Sequence, residues 1–250
     1  MITRDAATTH DYTLLDQQLM QKAQRYFAWQ AKTALDHIGK RVIEVGCGTG
    51  NFTRYLLDRE AVMGLDVVDR CVSELLERLG NPANVEARVL DVQAQDFLEL
   101  TSFRPDTVVC LNVLEHIPDH ELALRHMNAV LPKGGQAVFL LPASEALYGP
   151  IDVKLGHFRR YNKASWNKLA QDAGFQVKIS RYFNMVGYFG WWINAKIGKR
   201  EQQSASQIEF FDSKVVPVMS RVEGWIEPPI GQSIFTVLEK VNSPLTVHTN

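Results

Sequence analysis

Two stretches of the chain concentrate residue types that can do chemistry. The first is Glu44-Val45-Gly46-Cys47-Gly48-Thr49-Gly50-Asn51. Its glycines let a backbone approach a ligand closely and adopt positive φ without steric cost. The spacing is G-x-G-x-G, not the G-x-G-x-x-G of dinucleotide binders, and the missing G-K-[ST] ending excludes a Walker phosphate loop. Glu44, two residues ahead of the first glycine, would repel a pyrophosphate but could hold an ammonium ion. Asp66, in Gly64-Leu65-Asp66, comes 20 residues after Gly46. That spacing suits a carboxylate gripping ribose hydroxyls, each charge-assisted bond contributing ~1.5–3 kcal/mol. The second stretch is Leu155-Gly156-His157-Phe158-Arg159-Arg160-Tyr161, which packs a His, two Arg and a Tyr into one short run. Glu115-His116 adds an acid and the side chain best suited to act as a base near neutral pH. Arg159 or Arg160 could pair with an acidic acceptor or its phosphate. Each residue also has a plainer reading. Asp66 and Asp91 can be helix caps or loop acids, His116 can pack on a sheet end, and one of the arginines can make a surface ion pair.

These residues need elements to hold them. Arg41–Gly46, Ala61–Leu65, Val85–Leu90, Thr107–Leu111, Gln136–Leu141 and Phe175–Ser180 are short apolar runs rich in β-branched residues. Between them Asn51–Arg59, Asp69–Leu79, Asp119–Leu131 and Lys163–Ala173 read as helices. The alternation gives βαβ units, and near-continuous apolar strands are what a sheet covered on both faces requires. The expected fold is therefore α/β: a doubly wound, mostly parallel seven-stranded sheet with helices on both faces. Residues 1–39 form an N-terminal helical cap or lid, and 40–180 the core. Residues 181–230 are an insertion covering the active site, and 231–240 hold a strand (Ser233–Glu239) that closes the sheet at its edge. Glu44 and Asp66 then lie at carboxyl ends of strands, where open α/β sheets bind ligands.

With that order in place, the chain resembles the class I S-adenosylmethionine-dependent methyltransferases. The residues that carry the resemblance are Val42–Gly50 (VIEVGCGTG), Gly64–Asp66 (GLD), Val89–Val92 (VLDV), Asp106–Val109 (DTVV) and Asn112–Ile117 (NVLEHI). They span about residues 40–180. The resemblance implies S-adenosylmethionine as cofactor, with Glu44, Gly46, Gly48 and Gly50 lining its amino-acid end and Asp66 on the ribose. Asp91 and Val92 would meet the adenine, and Asn112 and Leu114 would pass the methionine portion. Methyl transfer is an in-line displacement in which the protein holds a nucleophile near the methyl carbon and removes its proton. His116, His157, Glu115, Arg159 and Tyr161 are the candidates for that work.

Asn112-x-x-Glu115-His116 also approaches the Glu-x-x-Glu-His of ubiquinone-biosynthesis O-methyltransferases and plant-type small-RNA 2′-O-methyltransferases, where the motif supports a divalent metal. Here Asn112 replaces the first acid, which weakens a Mg²⁺ site, so no metal is assigned. Gly156–Tyr161 (GHFRRY), Gly190–Asn194 (GWWIN), Phe211-Asp212 and Gly231-Gln232-Ser233 resemble a bacterial subgroup associated with natural-product, saccharide or lipid-linked acceptors.

Composition narrows the partners. The 250 residues carry a formal net charge of −1, with 46% apolar and 22% charged residues. These fractions suit a globular protein rather than a disordered one, and the charge gives no footprint for nucleic acid. Cys47, Cys71 and Cys110 are odd in number and widely spaced, which points to a reducing compartment. No targeting segment is evident at the N-terminus, and no run reaches the ~20 apolar residues of a membrane span. The expected location is cytoplasmic. Tyr188, Phe189, Trp191 and Trp192 could shape an apolar acceptor pocket or rest at a membrane interface. The expected reaction is methyl transfer to an oxygen of a small-molecule or lipid-linked acceptor. The alternatives are a metal-assisted enzyme and a non-catalytic binder of the cofactor.

Overall fold

A computed structural model describes residues 14–198 and 204–241. Seven strands, β1 (Arg41–Val45), β2 (Ala61–Asp66), β3 (Val85–Val89), β4 (Thr107–Leu111), β5 (Gln136–Pro142), β6 (Phe175–Phe183) and β7 (Ser233–Lys240), form one sheet. Its order is β3-β2-β1-β4-β5-β7-β6. β1 to β5 are mutually parallel, whereas β7 runs antiparallel to both of its neighbours. The doubly wound α/β fold read from the sequence is the one observed.

Successive strand residues face opposite sides, and both sides are covered. Ile43, Met63, Val108 and Phe139 lie in one core with Leu124 and Met127 of α4 (His120–Val130) and Trp166 of α6 (Lys163–Asp172). Val42, Val62, Val109 and Val138 lie in the other. There they meet Trp29 and Ala31 of α2 (Gln24–Ala34), Leu75 of α3 (Asp69–Leu79) and Val216 of α9 (Val216–Val222). The buried Trp166 indole donates to Thr236 Oγ1 at 3.0 Å, which leaves neither polar group orphaned as α6 docks on β7.

Two sequence expectations are corrected. β7 does not close the sheet at its edge; it is inserted between β5 and β6. Ser233–Leu238 are buried without interruption, as an interior strand requires, whereas β6 is exposed at several positions and forms the edge. The helix expected at Asn51–Arg59 is a single 3₁₀ turn, Thr53–Tyr55. Asn51 is drawn into a tertiary bond, its Nδ2 donating to Gln17 O at 3.0 Å. Phe52 and Leu56 are pulled into the core, so the segment follows packing rather than helical period.

The remaining elements sit over the carboxyl ends of the strands. Helix α1 (14–20) lies across the glycine turn. Gln18 Nε2 donates to Glu74 Oε2 at 2.9 Å and Gln21 Nε2 to Glu74 Oε1 at 3.2 Å, tying α1 to α3. Helix α5 (Pro150–Leu155) follows β5. Helices α7 (Met185–Ile193) and α8 (Ala205–Phe210), then α9, fill the stretch between β6 and β7.

Candidate active site

The sheet reverses its winding direction between β1 and β4, and the loops leaving those two strands form the crevice where such folds bind ligands. Gly46 has φ +72°, and a Cβ there would lie 2.2 Å from Val113 Cγ2 of the loop after β4. Only glycine allows the two loops to touch. The Gly46 and Cys47 N–H groups both donate to Leu65 O, at 2.7 and 2.9 Å. Gly48 N donates to Asp66 Oδ2 at 2.9 Å, and Val68 N donates to Asp66 Oδ1 at 2.9 Å. The turn and the acid after β2 thus fix one another. Gly48 and Gly50, at φ +51° and +82°, shape the turn without lining a cavity themselves.

Three cavities run in series through the crevice. The first, of about 430 Å³, is bounded by Asp66 and Asp91, with Leu90, Val92, Ile117 and Phe158 as apolar walls. Two carboxylates at one rim of an apolar slot suit a nucleoside. The second, of about 170 Å³, shares Gly46, Asn112 and His116 with the first and adds Glu44, Glu115 and His157. The third, of about 230 Å³, shares Met20, Tyr26, Trp191 and Gln232 with the second and continues between α7 and α8 beside Ile208 and Phe211.

Electrostatics differ along this path. Glu44 is buried, and its Oε2 finds no hydrogen-bond partner among the described residues. Burial lifts its pKa to about 8, and the neighbouring Asp66 adds to the rise. A buried carboxylate with one unpartnered oxygen, in a cavity continuous with Asp66 and Asp91, fits a ligand with an ammonium at one end and a nucleoside at the other.

Around the second cavity Asn112, at φ +54°, turns the chain at the end of β4. Asn tolerates that region better than most residues. The 3₁₀ turn Leu114–His116 follows and brings in Glu115 and His116. The His116 and His157 rings meet edge to face, centroids 4.6 Å apart. Behind His157 lies Asp152 of α5, fully buried. Its Oδ1 accepts from His157 Nδ1 at 2.8 Å and from Arg160 Nε at 2.9 Å, and its Oδ2 accepts from Gly149 N at 3.0 Å. Against the cost of burial, the His157 bond and the Arg160 charge hold Asp152 below the usual carboxylate range. This arrangement makes Nδ1 the protonated nitrogen of His157 and leaves Nε2 as the acceptor. Burial and the neighbouring His157 push His116 down to about 3, so it is a neutral imidazole near pH 7. Glu115 is pushed up to about 7, chiefly by burial.

Three of the residues read from the sequence do not reach this site. Leu114 is fully buried in the core against α4. Arg159 donates to Ile117 O at 2.7 Å and to Pro118 O at 2.9 Å, tethering the loop after β4. The Tyr161 hydroxyl meets His120 Nδ1 at 3.0 Å while its ring packs edge-on against Trp166. Tyr161 bridges Ala143, the residue after β5. Arg160 lines the second cavity beside His157, whereas Arg159 is turned to the loop after β4 and Tyr161 to the core.

Two residues were missed. Asp152 precedes His157 by five residues and Arg160 by eight, a carboxylate spacing that could have been weighed with them. Asp16 of α1 lines the second cavity. Burial pushes its pKa up to about 6, and His157 opposes the rise. No local signal marks it.

The family described as a methyltransferase domain matches residues 14–178. The chain belongs to that methyltransferase family. Such a domain makes it an enzyme, and its methyl donor is S-adenosylmethionine. It is similar to the ubiquinone biosynthesis O-methyltransferase of Pseudomonas syringae pv. tomato, 28% identical over 158 residues, which is 56% of this chain and 66% of that one. The Coxiella burnetii protein of the same name is 31% identical over 104 residues, covering 40% of this chain and 43% of the relative. The chain thus spans no more than two thirds of the length of these curated relatives. Among solved structures, magnesium protoporphyrin IX methyltransferase from Synechocystis, with S-adenosylhomocysteine bound, superposes with TM-score 0.54 at 14% identity. That match covers 88% of this chain and 84% of the other. The [4+2]-cyclase SpnF superposes with TM-score 0.55 at 15% identity, covering 87% and 81%. Methyltransferases and a cyclase share this scaffold, so the fold alone does not select a substrate.

Glu115, His116 and His157 also converge as possible metal ligands. One ligand atom from each of Glu115, His116 and His157 lies within 4.8 Å of the others. Asp152 behind His157 is the kind of outer carboxylate that orients a metal-binding imidazole. Two imidazoles and a carboxylate suit a transition ion. They serve Mg²⁺, which prefers an all-oxygen shell, poorly.

Proposed function

We propose that this enzyme transfers the methyl group of S-adenosylmethionine to a hydroxyl or carboxylate oxygen of a small-molecule, saccharide or lipid-linked acceptor in the cytoplasm. The observation that carries this reading is the series of cavities with the Asp152–His157 pair at its middle, between a slot with two carboxylates and an apolar channel. The donor supplies an electrophilic methyl on a sulfonium, whose sulfur leaves as a neutral thioether. In this reading Asp66 accepts from the ribose hydroxyls, Asp91 accepts from the exocyclic amine beside Val92, and ionised Glu44 holds the ammonium. Asn112 borders the methionine portion. A hydroxyl acceptor gives its proton to His157 Nε2 as its bond to carbon forms, and Asp152 stabilises the resulting imidazolium; a carboxylate acceptor attacks already deprotonated. His116 is too weak a base for that step and orients the acceptor as a neutral ring.

Turnover, followed as release of S-adenosylhomocysteine with a panel of phenolic, saccharide and polyprenyl acceptors, tests the assignment. His157→Gln is expected to lower kcat by ~10²-fold or more, the usual contribution of a positioned base. Donor affinity measured by calorimetry should stay near that of the unaltered enzyme. Unchanged turnover in His157→Gln removes the assigned base.

A second reading, metal-assisted O-methyl transfer, is favoured by the convergence of Glu115, His116 and His157 within 4.8 Å. Titration with Mn²⁺ and Zn²⁺ by calorimetry tests it. Saturable binding that is lost in His116→Ala, together with turnover abolished by a chelator and restored by the ion, is the expected pattern. Turnover indifferent to chelation excludes this reading.

A further inference from the structure

The mechanism leaves the outer surface of the α7–α9 stretch unused, and its composition is unusual for a face meeting water. Ten of the sixteen exposed large hydrophobic residues among the described residues fall between Phe189 and Ile230. No Asp, Glu, Lys or Arg occurs between Arg181 and Lys196. α7 and the π-helical turn after it are apolar on two sides at once. Gly187, Trp191 and Asn194 line the third cavity, while Phe189, Trp192, Ile193 and Ile197, at helical spacing, are exposed. A helix that is apolar all round belongs in a core or against lipid. On the facing elements Phe210, Val218, Val222 and Trp225 form a second exposed stripe, with Trp225 91% exposed.

The charges bordering these stripes are selected in one direction. Glu209 is paired with Lys22 and Glu227 with Lys163. Asp212 and Glu223 are buried and accept from backbone N–H groups of Tyr26 and Met185. Lys196, Lys214 and Arg221 are exposed and have no acidic partner among the described residues. Among the described residues every acid of the stretch is thus engaged, and the cations remain to meet an outside anion. No helix among the described residues is long and apolar enough to cross a membrane.

We propose that the α7–α9 face rests on an anionic bilayer surface, and that the acceptor is a lipid that reaches His157 from the bilayer between α7 and α8. Tryptophan with apolar neighbours and a basic border is the signature of an interfacial surface. The third cavity, flanked by the same two helices, continues from that surface to the reacting groups. The acceptor half of the proposal rests on the methyl-transfer reading above, whereas the surface half stands on the exposed residues alone.

Co-sedimentation of the full chain with phosphatidylcholine vesicles, and with vesicles also containing phosphatidylglycerol, tests it without donor or acceptor present. Binding is expected to the anionic vesicles and to weaken as salt is raised. Lys214→Glu and Arg221→Glu should each lower partition about five-fold or more. Phe210→Ser combined with Trp225→Ser should lower it at least about ten-fold with donor affinity unchanged. Sedimentation velocity on the same variants reads the competing occupant. Failure to bind either vesicle, indifference to lipid charge, or a dimer dispersed by Phe210→Ser and Trp225→Ser would each overturn the bilayer assignment. Because no turnover is measured, these outcomes are separate from any failure of the catalytic reading.

Discussion

Replacing Glu44 by Gln is expected to weaken donor binding about 10- to 100-fold, since a hydrogen bond to a charged group contributes ~1.5–3 kcal/mol and ~1.4 kcal/mol is a factor of ten. The effect should depend on pH in a defined direction. Burial holds Glu44 near 8, so it is mostly protonated at pH 7, and gripping an ammonium requires the ionised form. Binding therefore releases a proton, and affinity rises with pH until it levels above about 8. Calorimetry in buffers of different ionisation enthalpy reads the released proton directly, and in Glu44→Gln both the release and the pH slope should vanish. Stability moves the other way. The folded pKa lies above the ordinary 4.5, so the stabilising contribution is complete below about 4.5 and is lost as pH rises through about 8. The Tm of the donor-free protein should fall across that window, and added donor should restore it. A pH-independent affinity in the unaltered enzyme would remove Glu44 from the donor site.

Asp152→Ala is expected to have the largest effect on both folding and turnover. Asp152 is fully buried and accepts from His157, Arg160 and the Gly149 backbone. Truncation leaves the Arg160 guanidinium buried without its hydrogen-bonded counter-charge, a change that typically costs about 3–5 kcal/mol. Turnover should fall by about 10²-fold, because His157 loses the partner that fixes its tautomer. Asp152→Asn keeps the shape and an acceptor oxygen, so it should lose less stability while still impairing turnover. Thermal unfolding and S-adenosylhomocysteine release on both variants separate the two losses. If Asp152→Ala unfolds at the temperature of the unaltered enzyme, the buried pairing has been misjudged.

Much of this architecture can be read from residue order because local and tertiary preferences agree. Val42-Ile43, Val62–Leu65 and Val108–Cys110 are continuous apolar runs and form strands buried on both faces. The glycine turn and Asp66 are tied by contacts that glycine and a short acid alone can make. The failures arise where a residue's surroundings come from distant segments. The apolar character of Ser233–Leu238 reports burial but not which strands lie on either side, so an interior strand was read as an edge. At Asn51–Arg59 the helical spacing of Phe52 and Leu56 is genuine, yet Asn51 is held by Gln17, 34 residues away. In the GHFRRY segment composition marks a dense polar cluster, but only distant partners decide that Arg160, held by Asp152, points inward while Arg159 and Tyr161 do not. Asp16 enters the site on a helix whose position is set by Gln18 and Gln21 against Glu74, contacts that no local pattern encodes.

The two ends of the crevice are served by different doors. On the proposed reading, the donor lies beneath α1, which Gln18 and Gln21 hold through side-chain hydrogen bonds to Glu74. The acceptor channel of that reading lies between α7 and α8, away from those hydrogen bonds. An acceptor with a long tail can therefore stay anchored while the nucleoside is replaced. A molecule offering two attackable oxygens could then be alkylated twice in one visit.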